Sequence, residues 1–430
     1  MQKLPSTPTR GMRDMLPADA ELRHAVMARI LDVYSRFGFQ QIETPAVENI
    51  SLLTKGEGGE NETLIFKILK RGEKLNLNAV GVTEADVVDL GLRYDLTVPL
   101  SRYYANNADH LPSPFKSIQF GPVWRAERPG HERFRQFNQC DIDIIGTGSC
   151  IAEIELLLAT SEALVALDFR DFIVRINDRR ILSAMVSACG FLPDQLTNAF
   201  IALDKLSKIG MDGVTAELEA GGNDAAAIAE LTQVVNGFET ADVMAQLKSL
   251  TSSSLSPEVF EALERVVATV SVEAKGQFNI RFDPTLVRGM SYYTGQIFEI
   301  EYKDYPFSIA GGGRYDQMIG KLLGRDVPAC GFSIGFERII SIIKGEQKQI
   351  VQARKKIALI LDSDAYIGAA LEIGRSLRGQ DIAVSLQLRQ KKLRKQLDEL
   401  ASQGFNEFCI LKADTDTKAP EFRKLEIEEN

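Results

Sequence analysis

The segment "WRAERPGHERFRQFNQ" concentrates positive charge between two apolar, strand-like stretches of the chain. It contains four arginines, namely Arg125, Arg128, Arg133 and Arg135. Arg135 continues the charge into the returning strand, where solubility does not require it. Arginine at a partly buried strand position needs an anionic partner, because burying an unpaired guanidinium is costly. That partner is either an internal carboxylate or a bound phosphate, and the segment by itself leaves both open.

Three further arginines stand beside glycines, which allow close approach to the backbone. They are Arg288 in "LVRGMSYYTG", Arg314 after the glycines of "AGGGRYD", and Arg338 in "GFSIGFERII". The planar guanidinium group binds phosphate or carboxylate oxygens in pairs. Such arginines on separate segments predict convergence on a multiply charged ligand, and a nucleoside triphosphate with Mg²⁺ fits that requirement. Neither a GxxxxGK(S/T) loop nor a GxGxxG fingerprint between a strand and a helix occurs, so the usual phosphate cradles are absent.

The composition indicates a soluble chain of several domains. Its 430 residues are 45% hydrophobic and 25% charged, and two or three domains are expected at this length. The net charge of −9 argues against a purely electrostatic nucleic-acid binder, but it permits a local basic site. Five scattered cysteines and three histidines form no CxxC or Cys/His cluster, so neither a disulfide framework nor a zinc site is predicted. With no apolar run of membrane-spanning length and no signal-type N-terminus, we expect a cytoplasmic protein.

Periodic patterns indicate the elements that must position these arginines. Apolar residues recur at helical spacing from about Asp19 to Phe37, which predicts an amphipathic helix. A β-rich stretch runs from about Leu64 to Gly146, interrupted by a helix near Thr97–Asn107. A further helix with a buried side is expected at Ser149–Leu167. The charged hairpin therefore lies within a sheet that helices accompany.

Changes in composition predict three domains. Residues 179–274 are rich in alanine, leucine and glutamate and are expected to form an inserted helical domain. Residues 1–178 and 275–345 would then form one discontinuous core. Residues 355–430 alternate strand and helix patterns, which predicts a small α/β domain. After "EFRKLEIEEN" this last domain is expected to be short at its C-terminus.

The motifs, taken in order, resemble those of class II aminoacyl-tRNA synthetases. The charged hairpin resembles motif 2 with its core at Arg125 and Glu127, "FGFQQIETP" resembles motif 1 ending at Pro45, and "GFSIGFERI" resembles motif 3 ending at Arg338. More specifically, "LVRGMSYYTG" and "AGGGRYD" are similar to the two signature motifs of the histidyl-tRNA synthetase family. "GMRDMLP" and "LRYDLTVPLSR" match that family as well. The resemblance covers essentially the whole chain.

This resemblance implies an α+β fold and a ligase activity. The implied core is a class II antiparallel sheet of six or seven strands with a helical insertion, followed by a C-terminal α/β anticodon-binding domain. The implied reaction joins L-histidine and ATP, with Mg²⁺, to histidyl-adenylate and then transfers histidine to tRNA(His). Motif 1 implies a homodimer. The alternative is a non-aminoacylating paralogue, such as the regulatory subunit of ATP phosphoribosyltransferase, but such proteins generally lack the "LVRG…YYTG" region.

The same resemblance implies a role for individual residues. Arg288 and Arg125 would be the catalytic residues. ATP would be bound by Arg125, Glu127, Arg133, Phe137 and Arg338. Histidine would be bound by Asp95, Leu96, Thr97, Gln139, Asp143, Tyr292 and Tyr293. This chain departs from the family at Ser291, where an aspartate is common before the two tyrosines.

Overall fold

A computed structural model describes residues 6–55, 60–75, 77, 81–130, 133–238, 242–288, 292–351, 354–413, 415–416 and 418–425. The chain divides into two compact units, Met1–Ile350 and Val351–Asn430. The strands are β1 (Gln40–Gln41), β2 (Val47–Asn49), β3 (Lys67–Leu69), β4 (Val88–Leu92), β5 (Phe115–Trp124), β6 (Gln136–Ile145), β7 (Ile173–Asp178), β8 (Asn279–Phe282), β9 (Gln296–Glu301), β10 (Ala310–Arg314), β11 (Ala329–Ile334), β12 (Lys356–Leu361), β13 (Ala383–Leu388), β14 (Glu407–Leu411) and β15 (Arg423–Lys424).

The helices are α1 (Pro17–Arg36), α2 (Ile50–Lys55), α3 (Glu84–Val87), α4 (Thr97–Asn107), α5 (Ile151–Ala166), α6 (Arg179–Ala188), α7 (Leu196–Leu203), α8 (Leu206–Ala220), α9 (Ala225–Gly237), α10 (Val243–Thr251), α11 (Pro257–Glu273), α12 (Asp316–Leu323), α13 (Phe336–Gly345), α14 (Ile367–Arg378) and α15 (Leu393–Ser402). Short 3₁₀ helices occupy Glu60–Leu64, Gly72–Lys74, Ala108–His110 and Asp364–Tyr366. Within the described residues, none of the helices is long and apolar enough to cross a membrane.

An eight-stranded sheet forms the centre of the first unit, in the order β1-β5-β6-β11-β10-β9-β7-β8. From β5 to β7 in this order, neighbouring strands pair antiparallel. The short edge strands β1 and β8 pair parallel with β5 and β7. Each parallel pair is joined by a connection that contains helices, as parallel neighbours require. The antiparallel core is therefore as predicted, but the sheet has eight strands because a parallel strand is added at each edge.

One face of this sheet is apolar and is covered by helices. Cys140, Ile142 and Ile144 alternate along β6 and are fully buried on this face. Helices α5, α11 and α13 pack against the sheet, and α1 packs on α5 through its predicted apolar stripe, which includes Val26 and Ile30. Burying each large apolar side chain contributes about 1.5–3 kcal/mol. This face holds the sheet in place and leaves the opposite face for polar residues.

The segment predicted as a helical insertion contains α6 to α11. Asp178, Asp224 and Asp242 begin α6, α9 and α10, because their carboxylates accept hydrogen bonds from N–H groups of the first turn. Helix α11 returns the chain to the sheet edge at β8. Apolar residues of these helices and of the sheet form one continuous cluster. The boundaries of the insertion at 179 and 274 stay a prediction.

The second unit is built on a four-stranded sheet in the order β13-β12-β14-β15. Strand β12 pairs parallel with β13 and β14, and β15 pairs antiparallel with β14. Alternate residues of β12 are buried on opposite faces: Leu359 packs with Ile373 of α14, whereas Ile360 packs with Leu400 of α15. A central strand covered on both faces is typical of α/β architecture. The predicted C-terminal α/β domain is confirmed.

A small antiparallel sheet in the order β2-β4-β3 carries the turn that leads into α4. In this turn the Arg93 side chain donates hydrogen bonds to the carbonyl oxygens of Thr44, at 2.7 Å, and of Pro122, at 3.0 Å. These bonds join the turn to β5 and to the segment before β2. The turn is thereby held beside the polar face of the large sheet.

Candidate active site

A pocket of about 510 Å³ opens on the polar face of the eight-stranded sheet. All but one of the residues predicted for the site line it, and these are Asp95, Thr97, Arg125, Glu127, Arg133, Phe137, Gln139, Asp143, Arg288, Tyr292, Tyr293 and Arg338. The exception is Leu96, whose side chain is buried and whose carbonyl oxygen accepts a hydrogen bond from Gln119 at 3.0 Å. Leu96 therefore supports the turn.

Glycines of β10 and β11 form the floor of the pocket. A Cβ atom on Gly311 would lie 2.2 Å from Nη1 of Arg288, so the guanidinium rests directly on this strand. Arg288 reaches across it to Glu299 of β9, where its Nη1 donates to Oε2 at 3.0 Å. A Cβ atom on Gly331 would lie 2.0 Å from Oδ1 of Asp143. Any residue larger than glycine at position 311 or 331 would therefore collide with Arg288 or Asp143.

Three buried carboxyl groups face the pocket, each with one oxygen that has no hydrogen-bond partner among the described residues. These oxygens are Oδ2 of Asp95, Oδ1 of Asp141 and Oδ2 of Asp143. The second oxygen of Asp95 accepts from the Val98 amide at 3.1 Å. The second oxygen of Asp143 accepts from the Tyr315 hydroxyl at 2.5 Å. Buried polar atoms are normally paired, so the three free oxygens point to a ligand with hydrogen-bond donors.

Burial controls the protonation of this acidic end. Loss of solvent raises the pKa of Asp143 to about 7, although the Tyr315 hydroxyl acts in the opposite direction. Burial also raises the pKa of Asp95 to about 6, against the opposing effects of the Val98 amide and Arg125. The pKa of Asp141 is raised as well, first by burial and then by Asp143. A bound cation would favour the ionised form of all three carboxyls.

Arginines and aromatic rings form the opposite, basic end. The Arg125 side chain donates from Nε to the carbonyl oxygen of Tyr94 at 3.1 Å, and its guanidinium lies 5.1 Å from the centre of the Phe137 ring. Arg338 donates to the carbonyl oxygen of Ser308 at 2.6 Å and lies 5.1 Å from the Phe307 ring. A backbone carbonyl carries no net charge, so the bond to Tyr94 orients the Arg125 guanidinium and leaves its positive charge for an anionic ligand.

The arginines of the charged hairpin have different partners. Arg133 forms an ion pair with Glu127, with 3.1 Å between Nη1 and Oε2, and Arg135 donates to the Glu127 carbonyl oxygen at 3.1 Å. The Arg133 side chain is 66% exposed, so this pair is weak and can exchange for a ligand. Arg125 instead faces the pocket. Of the two partners that the sequence left open, an internal carboxylate is therefore present for Arg133.

Arg314 is not part of the site, contrary to the sequence expectation that it converges with the other arginines. It is buried and donates two hydrogen bonds to the Glu153 carboxylate, at 2.6 and 2.8 Å, and a third to Asp316 at 3.2 Å. These bonds connect β10 with α5 and with the start of α12. Arg314 is a structural residue, because its guanidinium is already satisfied by internal carboxylates. Ser291, the departure from the family motif, lies outside the described residues.

Sequence reasoning missed Asp141, Tyr315 and Glu337, all of which line the pocket. A period-two pattern along β6 places Asp141 on the same face as Gln139 and Asp143, and this signal could have identified it. Tyr315 stands inside "AGGGRYD". No local pattern distinguishes Glu337, whose carboxylate is held by Arg13 at 2.5 Å and by Arg23 at 2.6 Å.

The pocket thus combines an acidic end with an arginine-rich end, which is suited to a ligand pair that carries both cationic and anionic groups. The part of the chain that the structure describes has no group of three or more histidine, cysteine, aspartate or glutamate side chains able to hold a metal ion. An amino acid and a nucleoside triphosphate together fit these charges. On an antiparallel sheet with three arginine-bearing motifs, this is the arrangement of a class II aminoacyl-tRNA synthetase.

Comparison with known proteins agrees with this class. Residues 11–339 match the family model described as histidyl-tRNA synthetase. A histidine–tRNA ligase of Leifsonia xyli subsp. xyli (strain CTCB07) is 43% identical over 98% of this chain and 99% of its own length. The chain belongs to the histidyl-tRNA synthetase family. The predicted family, fold class and histidine–tRNA ligase function are confirmed.

Two solved structures share the architecture. The histidyl-tRNA synthetase from Nostoc sp. PCC 7120 superposes with a TM-score of 0.78 at 27% identity, over 98% of this chain and 97% of that one. A protein described as an ATP phosphoribosyltransferase regulatory subunit/histidyl-tRNA synthetase from Bacillus halodurans C reaches 0.77 at 19% identity, over 96% of this chain and 100% of that one. The second similarity shows the fold only. The paralogue alternative is therefore the less supported one.

Proposed function

We propose that this pocket activates L-histidine with ATP to histidyl-adenylate and that the chain then transfers histidine to tRNA(His). The observation that carries the proposal is a set of buried polar atoms at the pocket that have no partner among the described residues, including oxygens of Asp95, Gln139 and Asp143 and Nε of Arg288. The set contains several acceptors and one donor. Histidine has an ammonium group and an imidazole N–H for the acceptors and a carboxylate for the arginines.

Asp143 and Tyr293 would select the imidazole ring. Tyr315 already donates to one Asp143 oxygen, so only Oδ2 is available to accept a hydrogen bond from a ring N–H. Tyr293, with Tyr292 at a ring-centre distance of 4.7 Å, would donate its hydroxyl proton to the second ring nitrogen. A site that pairs buried polar groups rejects an amino acid without them, because those groups would lose their partners.

Asp95, Thr97 and Gln139 would receive the α-amino group, and Arg125 the carboxylate together with the α-phosphate. One carboxylate oxygen of histidine attacks the α-phosphorus, and the bond between that phosphorus and the bridging oxygen of pyrophosphate breaks. Negative charge shifts to the phosphate oxygens during this step. Arg288 and Arg125 would stabilise that charge, so positioning and fixed positive charge provide the catalysis without a side-chain nucleophile.

Phe137 would stack on adenine with Glu127 nearby, while Arg133 and Arg338 would contact the β- and γ-phosphates. Arg133 would exchange its exposed ion pair with Glu127 for a phosphate. Mg²⁺ is proposed to arrive with ATP, held mainly by phosphate oxygens and water, as is common for this ion. The terminal ribose hydroxyl of the tRNA then attacks the adenylate carbonyl and loses its proton as the ester bond forms. The bond from the carbonyl carbon to the phosphate oxygen breaks, and AMP leaves.

The other assignments are extensions of this proposal. Residues 1–178 and 275–345 would form the catalytic core, residues 179–274 would contact the tRNA acceptor arm, and residues 355–430 would bind the anticodon. A homodimer formed through motif 1 and a cytoplasmic location are expected on the same basis. The resemblance of the ordered motifs supports them.

ATP–pyrophosphate exchange without tRNA tests the activation step. The purified protein is assayed with each of the twenty amino acids, alongside Arg288→Ala and the control Arg281→Ala. Arg281 lies on β8 of the same sheet, and its side chain is 56% exposed with a 3.5 Å contact to Glu301. We expect exchange that depends on histidine, is lost in R288A and is retained in R281A. Folded protein without exchange for any amino acid would favour the regulatory paralogue.

A further inference from the structure

Asp141 is a buried carboxyl group to which no role has yet been assigned. It lies on β6 between Gln139 and Asp143, and only 4% of its surface is exposed. Ser333 is its directly paired neighbour on β11. One oxygen of this carboxyl, Oδ1, has no hydrogen-bond partner among the described residues. A carboxyl that lines the pocket with one open oxygen is ready to accept a hydrogen bond from a ligand.

The position of Asp141 in a group of three carboxyls indicates the charge of that ligand. Asp141 and Asp143 interact electrostatically, and each also interacts with Asp95. Three buried carboxyls cannot all ionise at low cost unless a positive charge joins them. The binding of a cation between them supplies that charge. A neutral or anionic ligand would leave the repulsion in place.

The neighbours of Asp141 indicate which cationic group it meets. Gln119 of β5 pairs directly with Asp141, and its amide donates to the carbonyl oxygen of Leu96 at 3.0 Å, so Asp141 lies beside the turn whose Asp95 and Thr97 are proposed to receive the α-amino group. Asp143 is held instead by the Tyr315 hydroxyl, at the end proposed for the imidazole ring. The α-ammonium group of an amino acid stands one carbon from its carboxylate. Asp141 is therefore on the side of the ammonium group.

We propose that Asp141 is a further specificity-determining residue, which accepts a hydrogen bond from the α-ammonium group of the bound amino acid through Oδ1. This inference rests on the proposed function, because it requires an amino acid in the pocket. With Asp95 and Asp143, Asp141 would be the third carboxyl that contacts bound histidine.

Asp141→Asn tests the proposal, because it removes the charge and keeps the size of the side chain. The probes are L-histidine, L-histidinol, which has the amine but no carboxylate, and 3-(imidazol-4-yl)propionate, which has the carboxylate but no amine. Dissociation constants are measured by calorimetry, and histidinol and the propionate are also tested as inhibitors of ATP–pyrophosphate exchange. We expect about tenfold or greater weakening for histidine and histidinol, no comparable change for the propionate, and an unchanged KM for ATP.

The controls separate this role from a structural one. Asp171→Asn removes one negative charge at an exposed residue whose positive φ of 58° asparagine tolerates, and it should bind all three ligands normally. Asp141→Ala removes the carboxyl altogether, so histidine should again bind about tenfold more weakly. D141A carries the test if D141N does not fold, and unchanged histidine binding in D141A would then refute the proposal.

Two results with D141N would overturn the inference: histidine and histidinol binding within about twofold of the wild type, or an equal loss for the propionate. The second result would mean that the carboxyl serves the imidazole ring or the shape of the pocket. If the wild type shows normal histidine-dependent exchange, either of these results refutes the role of Asp141 and leaves the proposed function intact. Absence of exchange in the wild type would refute the proposed function itself.

Discussion

Gly311 offers a direct test of how Arg288 is positioned. An alanine Cβ at this residue would lie 2.2 Å from Nη1 and 2.5 Å from Cζ of Arg288, whereas non-bonded heavy atoms prefer about 3.5 Å. The backbone of Gly311 is an ordinary β-strand, and glycine weakens a strand relative to alanine, so Gly311→Ala should fold. The guanidinium must instead move by roughly 1 Å and loosen its 3.0 Å contact with Glu299.

A displacement of this size in a catalytic group costs on the order of 10²-fold in rate. That factor corresponds to about 2.7 kcal/mol of transition-state stabilisation. The acidic end of the pocket is not touched by the new methyl group. We therefore expect kcat for ATP–pyrophosphate exchange to fall about 100-fold in G311A, with a much smaller change in the KM for histidine.

A double-mutant cycle decides whether the loss acts through Arg288. Exchange is measured for the wild type, Gly311→Ala, Arg288→Ala and the double variant, with Gly345→Ala as the control because a Cβ there meets no atom within 4 Å. If the methyl group acts by moving Arg288, the double variant should be no slower than R288A. Wild-type exchange in G311A, or losses that multiply in the double variant, would refute the reasoning.

Three further predictions address other parts of the site. Gly331→Ala places a Cβ 2.0 Å from Oδ1 of Asp143. In exchange kinetics the KM for histidine should rise about tenfold or more, while the KM for ATP stays unchanged. Equal effects on the two KM values would contradict this prediction. Because the pKa values of Asp95 and Asp143 are raised to about 6 and about 7, histidine binding should release protons at pH 6, and affinity should fall as the pH drops through 7 and then 6. Calorimetry in buffers of different ionisation enthalpy measures this release, and none at pH 6 would count against it. Arg314→Ala leaves Glu153 buried and unpaired, so it should lower the free energy of unfolding by about 3–5 kcal/mol. A melting temperature like that of the wild type would show that this ion pair is dispensable.

Local periodicity carried most of the fold prediction. The helical repeat in α1 matched the stripe that is buried, and the apolar, strand-like stretches on either side of the charged hairpin are β5 and β6. These patterns depend only on which face of an element is apolar, so neighbouring residues are enough to read them. The parallel pairing of the edge strands β1 and β8 was not predicted, because each pairs with a strand that is far away along the chain.

The sequence by itself determined the family and the order of the motifs, and all but one of the residues that it predicted for the site line the pocket. Only the tertiary structure decided what each charge does. Arg288 and Arg314 both stand beside glycines, yet one lies over the pocket floor and the other is paired with Glu153, 161 residues away. In the same way, β-sheet register and the turn before α4 bring Asp141 close to Asp95. The physical reason is that electrostatic partners are set by distance in space, which no local pattern in the chain records.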